Sequence, residues 1–246
     1  FIFQDGTLPK YYTIQLNHDF EEITLKANDG ASISCLLLKT KNPPKGIILY
    51  FHGNRNNLSR WANECAYLTN YDYQVLVMDY RGYGKSTGLR NEANFYADAY
   101  LAYQRCKNSF PSEKIIAYGR SLGSGPACWL AANAELQALV LETPYTRFTD
   151  LVEQKVLGLP MRWFLDYQFD NLSQLKNITE PVLIIHGTDD KLIPISHAQT
   201  LSKACQHPNS TFLIVQRGGH NNLPTYQTYK AGLDQFLKMT NRNLSQ

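Results

Sequence analysis

A serine at a predicted strand–helix turn is the residue of this sequence best placed to do chemistry. Ser121 lies in the G-x-S-x-G pattern of residues 119–123. The apolar run 114–118 before it indicates a short buried strand, and the residues from Ser124 onwards favour a helix. A serine on such a sharp turn has its hydroxyl pushed clear of the backbone, as a nucleophile requires. We therefore predict nucleophilic chemistry at Ser121.

A serine hydroxyl attacks well only when a histidine accepts its proton and a carboxylate orients that histidine. His220 follows two glycines after the last predicted strand, where a tight backbone can aim the imidazole at the sheet edge. Two carboxylates, Asp189 and Asp190, follow the apolar run 182–186. Catalytic groups gather at the carboxyl ends of parallel strands. Serine, aspartate and histidine follow one another along the chain in the order that a catalytic triad on such a sheet requires.

Backbone N–H groups near the serine are predicted to bind a developing oxyanion. The segment Tyr50-Phe51-His52-Gly53-Asn54 closes a predicted strand, at the position where one donor of an oxyanion hole originates. We expect the donors to be the N–H groups of Asn54 and Leu122, with the His52 side chain bracing the loop. The other histidines are expected to be exposed or structural: His18, His197 and His207 at the surface, and His186 in a turn.

The elements that must position these groups alternate along the chain, as in a parallel sheet covered by helices on both faces. An Asp-Gly turn joins two opening strands, 20–27 and 32–39, which are therefore predicted to be antiparallel. Further strands are predicted from apolar runs at 47–51, 74–79, 114–118, 138–142, 182–186 and 211–215. Helices are predicted at about 58–69, 92–107, after Ser121, at 196–204 and at 223–239. The expected fold is one α/β domain over residues 1–246 with a mostly parallel eight-stranded sheet.

The alternation pauses over residues 144–180, which are predicted to form a short helical cap over the site. Many residues of this segment are apolar, and most must bury the cap against the domain. A subset is predicted to line an apolar acyl pocket, namely Tyr145, Phe148, Trp163 and Phe164. Such a pocket would favour acyl chains of medium length.

Composition argues against several other classes of protein. A net charge of +3 gives no indication of a nucleic-acid partner. The five cysteines are scattered and lack C-x-x-C spacing, which argues against a disulfide framework and a zinc site. Residues 84–86 read Gly-Lys-Ser, like the end of a phosphate-binding loop. The first glycine of that motif is missing, because Met78 and Asp79 stand where it would have to be. We expect neither a metal nor a cofactor.

Five segments together resemble the α/β-hydrolase superfamily: F-H-G-N at 51–54, D-Y-R-G-Y-G-x-S at 79–86, G-x-S-x-G at 119–123, H-G-x-x-D at 186–190 and G-H at 219–220. The first two are similar to the serine aminopeptidase-like branch, which includes bacterial hydrolases, membrane-associated proteins and some acyl-protein thioesterases. The resemblance spans about residues 20–237. It implies that Asp190, rather than Asp189, is the carboxylate partner of His220. We expect Asp189 to be a solvated turn or helix-capping residue.

The resemblance implies a serine hydrolase that cleaves a carboxylic ester or thioester of a small molecule through an acyl-enzyme. A peptidase using the same three residues is the nearest alternative, and would need acidic cap residues for the substrate amine: Glu153, Asp166 and Asp170 are the candidates. A non-catalytic binding protein on this fold would be expected to lack at least one of the three catalytic residues. Here Ser121, Asp190 and His220 are all present.

Membrane association is expected only through a segment ahead of Phe1. No apolar run approaches the roughly 18 residues that span a bilayer. The sequence begins without methionine, and members of the branch often carry an amino-terminal anchor. We therefore expect a cytoplasmic protein, or an anchored or exported one if an anchor or signal preceded Phe1.

Overall fold

The computed structural model of the protein describes residues 3–155 and 167–242. Its strands, numbered in chain order, are β1 Gln4–Asp5, β2 Phe20–Lys26, β3 Ser32–Leu38, β4 Gly46–Phe51, β5 Arg55–Asn56, β6 Tyr73–Met78, β7 Ile115–Arg120, β8 Ala138–Glu142, β9 Val182–Gly187 and β10 Thr211–Val215. Eight of them form one sheet in the order β10-β9-β8-β7-β4-β6-β3-β2. The short strands β1 and β5 pair separately, in parallel.

Helices connect the strands and flank the sheet. They are α1 Leu58–Cys65, α2 Glu92–Lys107, α3 Ser124–Asn133, α4 Phe148–Lys155, α5 Asn171–Leu175, α6 Ile195–Ser202 and α7 Gln227–Arg242. Shorter 3₁₀ turns cover residues 66–71, 112–114, 121–123 and 223–225. None of the helices in the described ranges is long and apolar enough to cross a membrane.

The predicted fold class is confirmed. Strand β3 pairs antiparallel with β2 on one side and with β6 on the other. All other neighbours in the sheet are parallel, namely β6–β4, β4–β7, β7–β8, β8–β9 and β9–β10. Every residue of β4, β7, β8 and β9 is buried, which explains why these strands are continuous apolar runs rather than alternating ones. In the edge strand β2, the more buried Ile23 and Leu25 alternate with the exposed Glu22, Thr24 and Lys26.

Helix α2 has the predicted bounds because its ends carry strong signals. The Asn91 side chain caps it by accepting from the N–H of Asn94, Glu92 lies in the first turn, and Arg105 and Lys107 lie in the last. Helix α1 is shorter than predicted. It ends at Cys65 and continues as the 3₁₀ turn over residues 66–71, after which Asp72 adopts a left-handed φ of 65°.

The pairing of β1 with β5 was not predicted, because two-residue strands carry no readable period. It lays the amino-terminal segment along the loop that follows β4. The Gly84 N–H donates to the Gly6 carbonyl at 3.0 Å, and the Asn57 side chain donates to the same carbonyl at 2.8 Å. Arg55 lies beside Gln4 in this pair. The loop of the predicted oxyanion hole is therefore held from outside by the start of the described chain.

Residues 156–166 lie outside the described residues, so the cap over 144–180 stays a prediction. The described part of this segment contains α4 and α5. One surface prediction was wrong: His197, on α6, is 5% exposed. Its Nδ1 lies 2.9 Å from the Thr146 hydroxyl, so the ring faces the segment after β8 instead of solvent.

Candidate active site

Ser121 sits on the turn between β7 and α3 in a strained backbone conformation. Its φ is +52°, in the left-handed region that non-glycine residues rarely adopt. The turn is packed so tightly that its glycines have no room for a side chain. A Cβ on Gly123 would lie 2.0 Å from the Phe51 carbonyl oxygen, and one on Gly119 would lie 2.5 Å from the Gly123 oxygen. The sequence pattern therefore reflects close contact between this turn and β4.

The structure brings Ser121, His220 and Asp190 together. His220 Nε2 lies 3.0 Å from Ser121 Oγ, and His220 Nδ1 lies 2.8 Å from Asp190 Oδ2. The serine hydroxyl can thus donate to one ring nitrogen while the other donates to the carboxylate. The Asp190 side chain is fully buried and that of His220 is 11% exposed. This order of donors and acceptors is the one that makes a serine hydroxyl nucleophilic.

Four donors hold the Asp190 carboxylate. Oδ1 accepts from the backbone N–H groups of Leu192 at 2.8 Å and Ile193 at 2.9 Å. Besides His220, the Nε2 of His186 lies 3.3 Å from Oδ2. Burial raises the pKa of Asp190, but hydrogen bonds from His186 and His220 outweigh burial and hold that pKa well below its usual range. Asp190 is therefore ionised wherever the protein is folded near neutral pH.

Asp189 faces away from this arrangement. Its residue is exposed, and its Oδ1 accepts from the Thr188 hydroxyl at 3.0 Å. Its backbone N–H donates to the Gly218 carbonyl at 2.9 Å, which ties the loop after β9 to the loop after β10. A Cβ on Gly187 would lie 2.1 Å from the Gly218 oxygen, so this approach also depends on glycine. The two loops that carry Asp190 and His220 are thereby held side by side.

The residues of the predicted oxyanion hole, Asn54 and Leu122, line the same pocket as Ser121. The Asn54 side chain accepts from the Tyr83 hydroxyl at 2.7 Å and from the Gln4 N–H at 3.3 Å. The loop is therefore fixed by groups on two other segments of the chain.

His52 lies behind this loop and not in the pocket. It is fully buried, and its Nδ1 lies 2.7 Å from the Gly53 carbonyl oxygen. Its Nε2 lies 3.2 Å from Asp79 Oδ1, and its ring stacks on Trp61 with centroids 5.5 Å apart. Burial raises the pKa of Asp79, although the nearby His52 opposes the rise. These contacts brace the loop, as its position after β4 indicated.

Arg120, the variable residue before Ser121 in the pattern, is buried in a charged network that the sequence analysis missed. Its Nε lies 3.3 Å from Glu142 Oε1, and its Nη1 donates to Glu64 at 2.9 Å. Glu142 also accepts from the hydroxyls of Tyr118 at 2.5 Å and Tyr229 at 2.9 Å. A charged residue at the end of a fully apolar strand was the available signal, because a buried guanidinium requires carboxylate partners.

Ser121 opens into a pocket of about 480 Å³. An apolar wall comes from the segment after β8 and from the loop after Asp190, and consists of Tyr145, Phe148, Leu151, Val152, Leu192 and Ile193. An arginine wall comes from β5, α1 and the end of β7, and consists of Arg55, Arg60 and Arg120. Of the four residues predicted for the acyl pocket, Tyr145 and Phe148 line this pocket, while Trp163 and Phe164 lie outside the described residues.

A mostly parallel sheet of this order, with Ser121 on the turn after β7 and its partners on loops after later strands, is the α/β-hydrolase fold. Residues 42–173 match the family model described as serine aminopeptidase, S33, and the chain belongs to this family of hydrolases. The resemblance seen in the sequence motifs is thereby confirmed.

Two curated relatives cover most of the chain. It is 33% identical over 223 residues to human alpha/beta hydrolase domain-containing protein 17B, covering 89% of this chain and 75% of the relative. It is 33% identical over 211 residues to alpha/beta hydrolase domain-containing protein aho-3 of Caenorhabditis elegans, covering 84% and 62% respectively.

Solved structures share the fold at low sequence identity. An esterase of Pyrococcus furiosus superposes with a TM-score of 0.75 at 20% identity, over 97% of each chain. The acylaminoacyl peptidase of Pyrococcus horikoshii superposes with a TM-score of 0.69 at 15% identity, over 89% of this chain and 41% of that one. The same fold is therefore found in an esterase and in a peptidase.

Proposed function

We propose that the protein is a serine hydrolase that cleaves a carboxylic ester or thioester through an acyl-enzyme intermediate. The observation that carries this proposal is the hydrogen-bond chain from Asp190 through His220 to Ser121, with distances of 2.8 and 3.0 Å. It ends in a pocket of about 480 Å³ that is apolar on one wall. No cofactor takes part in the proposed reaction.

In the first half-reaction, Ser121 Oγ forms a bond to the substrate carbonyl carbon while its proton passes to His220 Nε2. The carbonyl oxygen becomes an oxyanion, which the backbone N–H groups of Asn54 and Leu122 bind. Such donors are each worth about 3 kcal/mol in comparable enzymes. The intermediate then collapses: the bond to the leaving oxygen or sulfur breaks, and His220 returns its proton to that atom. Asp190 keeps the imidazole in the required tautomer and stabilises its cation.

In the second half-reaction, His220 removes a proton from water as the water oxygen attacks the acyl carbon. The second tetrahedral intermediate collapses with cleavage of the bond to Ser121 Oγ, and His220 protonates that oxygen. The acid leaves and the enzyme returns to its starting state. The apolar wall would receive the acyl chain, so we expect a preference for chains of medium length.

The peptidase alternative has the family description in its favour, but the described pocket offers little to bind a substrate amine. Of the three acidic candidates, Asp170 is paired with Arg147 at 2.9 Å and caps α5. Asp166 lies outside the described residues, and Glu153 is not among the described residues that line the pocket. A positively charged amino terminus would instead meet the arginine wall. The ester or thioester reading is therefore preferred.

The proposal is tested with a fluorophosphonate probe and the variant Ser121→Ala. We expect the wild-type protein to be labelled and to hydrolyse p-nitrophenyl butyrate, and Ser121→Ala to do neither. Ser196→Ala is the matched control, because Ser196 is exposed on α6 and is not among the described residues that line the pocket. Activity retained in Ser121→Ala would overturn the assignment of the nucleophile. A parallel comparison of ester, thioester and aminoacyl nitroanilide substrates would separate esterase from peptidase.

A further inference from the structure

The arginine wall of the pocket carries more positive charge than its carboxylate partners balance. Its three guanidinium groups share two carboxylates, Glu64 and Glu142, among the described residues. Neither carboxylate lines the pocket. The polar part of this pocket is therefore electropositive beside Ser121, which matters for the charge of the molecule that enters.

Arg120 is the arginine of this wall whose charge is balanced by carboxylates of the protein. It is held by Glu142 and Glu64 and lies with its Cζ 5.1 Å from the centre of the Trp61 ring. Its side chain is 4% exposed. Since its donors face protein groups, Arg120 supports the wall but leaves little for a ligand.

Arg60, on α1, is held on one side only. Its Nε donates to Glu64 at 2.5 Å, and its Cζ also lies 5.1 Å from the centre of the Trp61 ring. Its two terminal nitrogens make no hydrogen bond to any group in the described part of the chain. The side chain is 37% exposed. One edge of the guanidinium is therefore fixed while the other remains available to a ligand.

Arg55 has a fixed backbone and an uncommitted side chain. It pairs with Gln4 between β5 and β1, and its carbonyl accepts from Trp61 Nε1 at 2.5 Å. It directly follows Asn54, the predicted oxyanion donor. Within residues 3–155 and 167–242 its guanidinium has no ion pair or hydrogen bond. This charge is therefore held at the pocket by the backbone without a protein partner.

We propose that Arg55 and Arg60 bind an anionic group on the leaving part of the substrate, while the acyl chain lies against the apolar wall. The guanidinium fork matches carboxylate and phosphate oxygens in bidentate geometry. This inference rests on the proposed ester or thioester hydrolysis and names the class of substrate: an acyl ester or thioester with a negatively charged alcohol or thiol. It also predicts that a substrate with a free ammonium group near the leaving atom would be a poor one.

A pair of thioesters that differ by one carboxylate tests the inference. S-butyryl-5-thio-2-nitrobenzoate carries the charge on its leaving group, and S-butyryl-4-nitrothiophenol lacks it. The measured quantity is the ratio of kcat/KM for the charged to the neutral thioester. We expect this ratio to fall about tenfold in Arg55→Gln and in Arg60→Gln, as for the loss of one charge-assisted contact. Arg105→Gln, on α2 and away from the pocket, should keep the wild-type ratio.

The outcomes separate the two proposals. A ratio that is the same in wild type, Arg55→Gln and Arg60→Gln overturns the anionic leaving group and leaves thioester hydrolysis intact. Failure of wild type to hydrolyse either thioester, together with no labelling of Ser121, overturns the proposed function itself. Circular dichroism of each variant checks that it is folded. Because the interaction is electrostatic and partly exposed, the wild-type ratio should also fall in 0.5 M salt, whereas an unchanged ratio would count against the inference.

Discussion

Arg120 and Asn221, the residues that precede Ser121 and follow His220 in the chain, are joined by a hydrogen bond of 3.1 Å from Nη2 to Oδ1. The same nitrogen lies 3.4 Å from the His220 carbonyl oxygen. Since Glu142 and Glu64 fix the guanidinium, the loop that carries His220 is anchored to the strand that carries Ser121. A contact outside the three side chains of the proposed relay thus helps to set the distance between the imidazole and the hydroxyl.

Removal of this anchor should slow the reaction without weakening substrate binding. In Asn221→Ala, we expect kcat for p-nitrophenyl butyrate to fall about tenfold, equivalent to about 1.4 kcal/mol in the activation barrier, with KM nearly unchanged. Steady-state kinetics measure both constants. Asn209→Ala, at an exposed position, is the control. An unchanged kcat in Asn221→Ala would show that the His220 loop is positioned by its other contacts alone.

The sequence predicted a mostly parallel sheet, the order of strands and helices along the chain, and the three residues of the proposed relay, because each has a local signal. Buried strands are continuous apolar runs, and the turn at Ser121 needs glycines that the G-x-S-x-G pattern displays. Those glycines are required by backbone contacts, such as the one between Gly123 and Phe51, that any chain with this turn must make.

The supporting groups were harder to predict, because their roles depend on contacts between residues distant in the chain. His186 was expected only in a turn, but its Nε2 also lies 3.3 Å from Asp190 Oδ2. His197 was expected at the surface, yet its side of α6 faces Thr146. Nothing local marks Arg55 as part of the pocket either, since it is brought there by the pairing of β5 with β1.

Asp190 should make the stability of the protein depend on pH. Its pKa is depressed in the folded protein, so its contribution is present above the ordinary aspartate pKa of about 4 and is lost as the pH falls through the folded value. We expect Asp190→Asn to be less stable than wild type by about 2 kcal/mol at pH 7. This difference should shrink below pH 4. Urea unfolding of both proteins from pH 7 to pH 3 measures it.

The exposed Asp234→Asn variant is the control for that experiment, because Asp234 forms only a surface pair with Lys238. Its difference from wild type should stay small throughout the same pH range. A difference between Asp190→Asn and wild type that does not change with pH would contradict the depressed pKa of Asp190.

A methyl group on Gly123 should not be tolerated. Its Cβ would lie 2.0 Å from the Phe51 carbonyl oxygen, so β4 and the turn after β7 would have to separate. We expect Gly123→Ala to lose more than about 3 kcal/mol of stability, or to fail to fold. In the control Gly219→Ala, the nearest atom would lie 3.6 Å away, and the loss should be under about 1 kcal/mol. Thermal unfolding compares them; equal stability of the two variants would contradict the packing described.

Leu151 should limit the length of the acyl chain that the pocket accepts. It lies on α4 in the apolar wall and is 8% exposed. In Leu151→Trp, the larger side chain would fill space near Ser121, so kcat/KM should fall at least about tenfold for p-nitrophenyl octanoate and little for the acetate. The acetate ester serves as an internal control. A chain-length profile that is the same in both proteins would place the acyl chain elsewhere.

The two described ends of the chain lie near opposite ends of the parallel strands. Gln4 pairs with Arg55 at the pocket, beyond the carboxyl end of β4, whereas the Asn241 side chain accepts from the hydroxyl of Tyr73 at the amino end of β6. A purification tag or surface tether joined ahead of residue 3 would therefore emerge next to the substrate entrance. One joined directly at residue 242 would start at the other end of the strands, which makes that end of the described residues the better point of attachment for assays and immobilisation.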